Sequence, residues 1–445
     1  MTATATHTVI VGLGKTGLSC ARFLTNRRAH ISVVDSRQQP PGIEQLQTEF
    51  AEIDVHVGGF DESLINSADE LVLSPGVPLS EPALASAIAK GVSIVGDIEL
   101  FAQNVTAPVV AITGTNGKST VTSLLAEMAR CAKRHYKVGG NLGTPALDLL
   151  GDDDIDLYIL ELSSFQLETT YSLNAVAAIV LNVAPDHMDR YDSLASYAAT
   201  KQRIYHGDGV MVINKDDAIV LAMRDPSRKT IYFTLSEPLE NEYGLIEKDQ
   251  QLYLAYGNNC VMRASDVKLP GRHNLANVLA AMALAEAIGL PESAVIEAIT
   301  QFAGLPHRCQ WVAEIDGVNF YNDSKATNVG ASVAALEGMP GTTVLIAGGQ
   351  GKGTDYTPLV DAVRKHAAAV VLIGEEAEKL ANVMMGSVPL VHAGSMQDAV
   401  QQAFALAKQT QSQVLLAPAC ASFDMFRNFE HRGECFVAAV QEMQT

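Results

Sequence analysis

Residues 113–120 read Thr-Gly-Thr-Asn-Gly-Lys-Ser-Thr, between an apolar run, Val109-Val110-Ala111-Ile112, and a helical pattern from Val121 to Ala129. Gly114 and Gly117 let backbone N–H groups turn toward an anion, and the start of a helix adds partial positive charge. Lys118 can reach the β- and γ-phosphates of a nucleotide, and the Ser119 hydroxyl can ligate Mg²⁺. The stretch therefore predicts a nucleoside triphosphate as substrate. Its spacing is short: two residues separate Gly114 from Gly117-Lys118, where the common pattern has four.

A second glycine loop, Gly12-Leu13-Gly14-Lys15-Thr16-Gly17, follows an apolar strand, opens a helix, and has Asp35 some 20 residues on. Alone it is a dinucleotide pattern and favours NAD(P). The α/β unit ahead of the triphosphate loop is, however, short for a two-lobed dinucleotide domain. Another pyrophosphate, such as that of a nucleotide-sugar, suits the same loop.

Glu161 ends the apolar run Leu157-Tyr158-Ile159-Leu160. An acid there can hold Mg²⁺ directly or through water, or it can cap a turn; the phosphate loop upstream favours the metal. His187 lies in Asn182–Asp189, just after a strand and near the same crevice. Lys201 lies on a helix predicted over Ser193–Tyr205, where a solvated lysine is the ordinary reading. Further on, His307-Arg308 follows Gly304-Leu305-Pro306, and Asn322–Asn328 is a polar loop after the strand Val318–Tyr321. Gly348–Gly353, which contains Lys352, follows the strand Thr343–Ile346, while Ser422-Phe423 and Phe429 follow Val414–Ala417. Glycines permit close backbone approach, and a neighbouring Arg or Lys can bind carboxylate or phosphate. Together these loops predict a third lobe that closes on ligands held by the other two.

The elements that must position these groups alternate strand and helix. Strands are predicted at His7–Val11, Ile31–Val34 and Leu71–Leu73, with helices at Leu18–Thr25 and Glu81–Lys90. A second block has strands at Val109–Ile112, Leu157–Leu162 and Ala178–Val183. A β-rich stretch follows around Met211–Ile213, Thr230–Phe233 and Gln251–Tyr256, then an Ala-rich helix over Leu275–Ile288. A third block with strands at Thr343–Ile346, Ala369–Ile373 and Val414–Ala417 begins near Pro306. The pattern is parallel α/β with ligand loops at the C-terminal ends of strands. At 445 residues, two to four domains are expected, and 48% apolar residues suffice for a core in each. The formal net charge of −19 argues against a broad nucleic-acid surface. The six cysteines are widely spaced without C-x-x-C, so no zinc site or disulfide framework is expected. No signal peptide or membrane-length apolar run is visible, and a cytoplasmic protein is expected.

Together these stretches resemble the Mur ligase family. The markers are Thr113–Thr120, Glu161–Glu168, Asp186–Asp189, Gly271–Asn274, His307-Arg308 and Asp323–Asn328. The shortened phosphate loop is that family's form, and the resemblance runs essentially end to end. It implies three domains: a Rossmann-like UDP-binding domain (1–96), a P-loop ATPase-like central domain with extra β-structure (97–304), and a Rossmann-like amino-acid-binding domain (305–445). It implies an ADP-forming amide ligase of cytoplasmic peptidoglycan synthesis, serving cell-wall biogenesis, cell shape and division. The reaction implied joins D-glutamate to UDP-N-acetylmuramoyl-L-alanine through an acyl phosphate.

By the same resemblance, Gly114, Thr115, Asn116, Gly117, Lys118, Ser119 and Thr120 bind ATP phosphates. Asn274 and Asn277 face the adenine, and Arg308, Asp323 and Lys325 lie nearer its ribose and phosphates. Asp35, Ser36 and Arg37 lie near the uracil, and Gly14, Lys15, Thr16, Ser74, Gly76 and Asn141 near the UDP-sugar, with His187 at the acceptor carboxylate. Thr327, Lys352, Ser422 and Phe429 hold D-glutamate. Two Mg²⁺ ions are implied, ligated by Ser119, Glu161, His187 and Lys201, the last as a carbamate made from CO₂. Lys118, Glu161, His187 and Lys201 form the catalytic group, and a monomer without nucleic-acid or membrane partners is expected. Ser36 stands where the family often has Thr, and Lys15 where it often has an apolar residue. Competing expectations are another member of the superfamily, such as a folylpolyglutamate synthase or a Mur ligase adding a different residue; an NAD(P)-dependent oxidoreductase; or a nucleotide-binding regulator without turnover.

Overall fold

The computed structural model describes residues 6–444 apart from 28, 153, 352 and 354. Lys352 therefore lies outside the described residues. Among those described, the strands form three sheets, met one after another along the chain. In the first, β1 (His7–Val11), β2 (His30–Asp35), β3 (Asp54–Val57), β4 (Glu70–Leu73) and β5 (Ser93–Gly96) lie in the order β3-β2-β1-β4-β5, all parallel.

The second sheet runs from β6 to β14: β6 (Val109–Thr113), β7 (Tyr136–Gly140), β8 (Leu157–Glu161), β9 (Ala177–Val180), β10 (Val210–Asn214), β11 (Thr230–Phe233), β12 (Glu242–Lys248), β13 (Gln251–Tyr256) and β14 (Asn259–Arg263). Their order is β14-β13-β12-β11-β10-β9-β6-β8-β7. It is parallel from β7 to β12, and an antiparallel meander, β12-β13-β14, extends it. The third sheet holds β15 (Gln310–Ile315), β16 (Val318–Asn322), β17 (Thr343–Gly348), β18 (Ala367–Ile373), β19 (Leu390–His392) and β20 (Gln413–Leu416), ordered β15-β16-β20-β17-β18-β19. Only β15 in it is antiparallel to its neighbour.

Burial explains the strand sequences. All of β6, β8 and β9 is buried, so these strands read as unbroken apolar runs rather than as alternation. Helices cover both faces; the helix Lys118–Cys131 packs Val121, Leu124, Leu125 and Met128 against the helix Arg272–Ala287 and β8. Several helix starts are capped by short polar side chains. Ser163 pairs with Gln166 and Ser193 with Ser196 in capping boxes, and the Asn328 side chain accepts from the Ala331 amide.

Topology decides where ligand loops fall. In each sheet the connections reverse direction at one interior strand, and the loops at the C-terminal strand ends on either side open a crevice there. In the first sheet that strand is β1, which puts the loops after β1 and β4 together. In the second it is β6, gathering the loops after β6, β8 and β9. In the third, the loops after β16, β20 and β17 converge.

Two expectations change in detail. The region Glu81–Lys90 is a 3₁₀ turn, Pro82–Leu84, followed by a short helix, Ala85–Ala89. Pro82 at the first position has no amide to donate, and the tighter turn forms there first. The strand expected to reach Val183 stops at Val180, because Asn182 turns to serve the phosphate loop.

Candidate functional site

The phosphate loop leaves β6 and enters the helix Lys118–Cys131 through Gly117, which sits at φ 84°. A Cβ at Gly117 would stand 2.3 Å from Asn277 Oδ1, so both the conformation and the space require glycine. Asn182 holds the loop from below: its carbonyl accepts from the Thr115 amide (3.0 Å) and its Oδ1 from the Asn116 amide (2.8 Å). Thr115 Oγ1 accepts from the Ala184 amide at 3.0 Å.

Two amines converge on this loop. Lys118 Nζ donates to the carbonyls of Gly114 and Thr115, both at 2.8 Å. Lys201, 1% exposed, donates its Nζ to the Gly114 carbonyl at 2.9 Å and lies 4.5 Å from the centre of the Tyr197 ring. Burial pushes both ammonium groups down, Lys201 well below its usual value, where the neighbouring Lys118 adds to the effect. The helical pattern around Lys201 reads as a surface lysine; the structure buries it.

Glu161, at the end of β8, is also buried. Its Oε1 accepts from Asn141 Nδ2 at 2.6 Å, whereas its Oε2 is enclosed and has no hydrogen-bond partner among the described residues. A buried carboxylate oxygen left so is costly unless a cation or donor meets it. Ser119 borders the same cleft. Among the described residues no group of three or more His, Cys, Asp or Glu side chains is gathered as metal ligands. His187 holds a left-handed backbone, φ 57°, with its ring 4.7 Å from that of Phe165.

These groups line a cleft of about 600 Å³ between the second and third sheets. Thr115–Thr120, Asn141, Glu161, His187, Lys201, Asn274, Asn277, Arg308, Asp323, Lys325 and Thr327 all border it. Gly114 contributes its carbonyl to Lys118 and Lys201 without lining the cleft. Burial raises the Asp323 carboxyl to about 6, although Cys309 Sγ, 3.3 Å away, and Arg308 oppose it. Burial, with Arg308 and Lys118 nearby, lowers Lys325 to about 8, and its Nζ sits 3.8 Å from the centre of the Phe429 ring.

A second cleft, of about 740 Å³, opens on the first sheet. Gly14, Lys15, Thr16, Asp35, Ser36, Arg37, Ser74 and Gly76 line it, joined by Asn141 and by Phe429 from the third lobe. Asp35 is committed to its own surroundings. It accepts from the Leu13 amide (2.7 Å) and from Arg37 Nε (2.9 Å) and Nη2 (2.6 Å). Burial opposes its ionisation, but these donors hold the carboxyl below the usual range. Ser119, Asn141, Glu161, Arg308 and Lys325 line both clefts, so the two meet at these side chains. Ser422 is buried and borders neither cleft, while its neighbour Phe423 is 68% exposed.

Several participants are not singled out by the sequence. Tyr197 and Asn182 have their place here, and Arg432 is fully buried, donating to the carbonyls of Ser324, Cys420 and Ala421 and to Ser324 Oγ. Asn182 falls in a polar loop whose position after a strand was the available signal. Nothing in local pattern marks Tyr197 or Arg432.

Comparison with known proteins agrees with this arrangement. Residues 6–96 match the model for the Mur ligase MurD-like N-terminal domain, 112–285 that for the Mur ligase middle domain, and 307–420 that for the Mur ligase glutamate ligase domain. A UDP-N-acetylmuramoylalanine–D-glutamate ligase of Nitrosococcus oceani is 56% identical over 99% of this chain and 97% of that protein. One of Pseudomonas putida is 51% identical over 97% and 96%. Among solved structures, UDP-N-acetylmuramate–alanine ligase from Thermotoga maritima shares the fold, with a TM-score of 0.61 at 16% identity over 98% of this chain and 99% of that one. The chain belongs to the Mur ligase family.

Proposed function

We propose that this protein is an ADP-forming ligase that joins D-glutamate to UDP-N-acetylmuramoyl-L-alanine through an acyl phosphate, in peptidoglycan precursor synthesis. The observation that carries the reading is the meeting of two clefts at Ser119, Asn141, Glu161, Arg308 and Lys325. A triphosphate gripped in one cleft and a long UDP-linked acceptor in the other would bring γ-phosphate and carboxylate together there. The names of relatives 56% and 51% identical support this substrate pair.

In this reading the lobe 1–96 takes the UDP substrate. Asp35, Ser36 and Arg37 meet the uracil, and Gly14, Lys15, Thr16, Ser74, Gly76 and Asn141 follow the diphosphate and sugar. The lobe 97–304 takes ATP, with Gly114–Thr120 on its phosphates and Asn274 and Asn277 at its adenine. Arg308, Asp323 and Lys325 of the lobe 305–445 approach its ribose and phosphates, and Thr327, Lys352, Ser422 and Phe429 hold D-glutamate.

The enclosed Glu161 Oε2, without a hydrogen-bond partner among the described residues, and Ser119 in the same cleft suit a divalent ion. Mg²⁺ takes many of its ligands from phosphate and water. Ser119 and Glu161 would hold one ion, and His187 with a carbamate on Lys201 a second. Bound there, such ions supply the positive charge that lets two anions approach and that polarises the γ-phosphate. Burial favours the neutral amine at Lys201; its nitrogen would add to CO₂ and release a proton, turning a repelling cation into a carboxylate-like ligand.

A carboxylate is a poor electrophile, because oxide is a poor leaving group. Its oxygen attacks the γ-phosphorus, the bond from that phosphorus to the bridging oxygen breaks, and ADP departs. The D-glutamate amine, having lost its ammonium proton, then attacks the acyl carbon. The carbon–oxygen bond to phosphorus breaks, phosphate leaves with that oxygen, and the nitrogen sheds its second proton. Lys118, Arg308 and Lys325 bring fixed positive charge to the phosphates throughout.

ADP release and amide formation, measured with D-glutamate, L-glutamate, L-alanine and meso-diaminopimelate in parallel, test the assignment. D-Glutamate alone is expected to support both, and only when UDP-N-acetylmuramoyl-L-alanine is present. ATP turnover that ignores the amino acid and yields no amide would overturn the reading.

A further inference from the structure

We propose that Arg190 is a positioning residue that docks the first lobe's Ser74–Val77 loop onto the catalytic cleft and so sets where the acceptor carboxylate lies relative to His187. The inference rests on the ligase reading above and adds a residue to it. Arg190 directly follows Asp186–Asp189, and its side chain is only 12% exposed. Its guanidinium is engaged on every side. Nε and Nη2 donate to Glu168 Oε1 and Oε2 at 3.1 and 2.6 Å. Nη1 donates to the Pro75 carbonyl at 2.8 Å and Nη2 to that of Val77 at 3.3 Å. Its Cζ lies over the Phe165 ring, 4.1 Å from the ring centre.

Both ends of this contact reach a cleft. On one side, Ser74 Oγ donates to the Gly12 carbonyl at 2.7 Å, and Ser74 and Gly76 line the second cleft. On the other, the Arg190 and Tyr191 amides donate to the His187 carbonyl at 2.9 and 3.1 Å, closing the turn on His187. Tyr191 Oη also donates to Glu168 Oε1, at 2.6 Å, fixing the carboxylate that fixes Arg190. Phe165 touches the Arg190 and His187 side chains and borders the catalytic cleft. A continuous path therefore joins the Gly12 loop to His187 through one guanidinium. Only arginine can stack on a ring while forking between a carboxylate and two carbonyls; lysine offers a point charge. The first-lobe partners are backbone carbonyls of a substrate loop rather than core side chains, so the contact sets the loop's placement.

Arg190→Ala and Arg190→Lys in the full chain, beside the wild type, test this. For both, kcat/KM for UDP-N-acetylmuramoyl-L-alanine is expected to fall roughly tenfold or more, while KM for ATP stays within about twofold. Added guanidinium ion should partly restore Arg190→Ala. Amide hydrogen exchange should rise in residues 74–78 and 186–191 together, a readout independent of turnover. An unchanged KM and kcat for the UDP substrate, unchanged exchange in either segment, or losses shared equally by ATP along with a general fall in Tm would overturn the proposal. Absence of amide synthesis by the wild type would instead sink the ligase reading, and the exchange data would still decide the role of Arg190.

Discussion

At the scale of single residues, the site rests on charged groups held where water cannot easily reach them. Lys118 and Lys201 share the Gly114 carbonyl as acceptor, and beyond the effect of burial the Lys118 charge makes that of Lys201 less favourable. One ammonium beside a phosphate-binding loop is useful; a second, fully buried, is an expense unless its charge is changed. The proposed carbamate at Lys201 would resolve that conflict. Lys201→Ala should accordingly lose activity by on the order of 100-fold, and short carboxylates added to the assay should restore part of it. No recovery with acetate or formate, with the variant folded by circular dichroism, would count against a carbamate. Arg432 meets the same problem differently: burial lowers its pKa to about 10, and a ring of carbonyl acceptors from Ser324, Cys420 and Ala421 keeps the cation solvated by the chain. It ties together two loops that carry proposed substrate residues.

At the scale of elements, the joint between the first and second sheets carries an ionisable group that serves packing. Asp97 opens the helix Asp97–Ala102, is 1% exposed, and accepts from Gln166 Nε2 at 3.0 Å, while its Oδ1 has no partner among the described residues. Burial raises its carboxyl to about 6, against the Gln166 hydrogen bond. The folded state thus binds this proton more tightly than the unfolded state, whose value is near 3.8. The resulting stability is full below that unfolded value and is lost as pH rises through about 6. Asp97→Asn should stabilise the protein by roughly 1–3 kcal/mol at pH 8 and have little effect near pH 4. Thermal melts across that range check it, and equal shifts at both ends would refute it. Elements were also the scale at which sequence served best. Glycine loops after apolar runs located β1 and β6 with their ligand loops, since a buried parallel strand must be apolar and a phosphate loop must be glycine-rich. The strands β3, β5, β7, β12, β14, β15 and β19 escaped notice because they are short or partly exposed and carry no motif. The burial of Lys201 and the contacts of Arg190 were illegible for a different reason: they depend on segments far apart in the chain. Arg190, for instance, reaches back to Pro75 across 115 positions.

At the scale of the whole molecule, the third lobe touches the phosphate loop itself. Asn328 Nδ2 lies 3.1 Å from both Asn116 Oδ1 and Asp186 Oδ2, while its Oδ1 caps the helix Val329–Gly338. One amide thus joins the nucleotide loop, the His187 loop and the loop that carries Thr327. Asn328→Ser keeps a good cap and should change stability by less than about 0.5 kcal/mol. It removes the donor, and kcat/KM for D-glutamate should fall by roughly tenfold. An undiminished value would show that this contact does not position the third lobe for catalysis. The proposed chemistry requires that a carboxylate oxygen take the γ-phosphoryl group where the lobes meet. Turnover of UDP-N-acetylmuramoyl-L-alanine carrying ¹⁸O in its terminal carboxylate, with ATP and D-glutamate, tests that most directly. Mass spectrometry of the released phosphate should find one labelled oxygen per molecule of amide formed; amide formation with unlabelled phosphate would contradict the acyl-phosphate route.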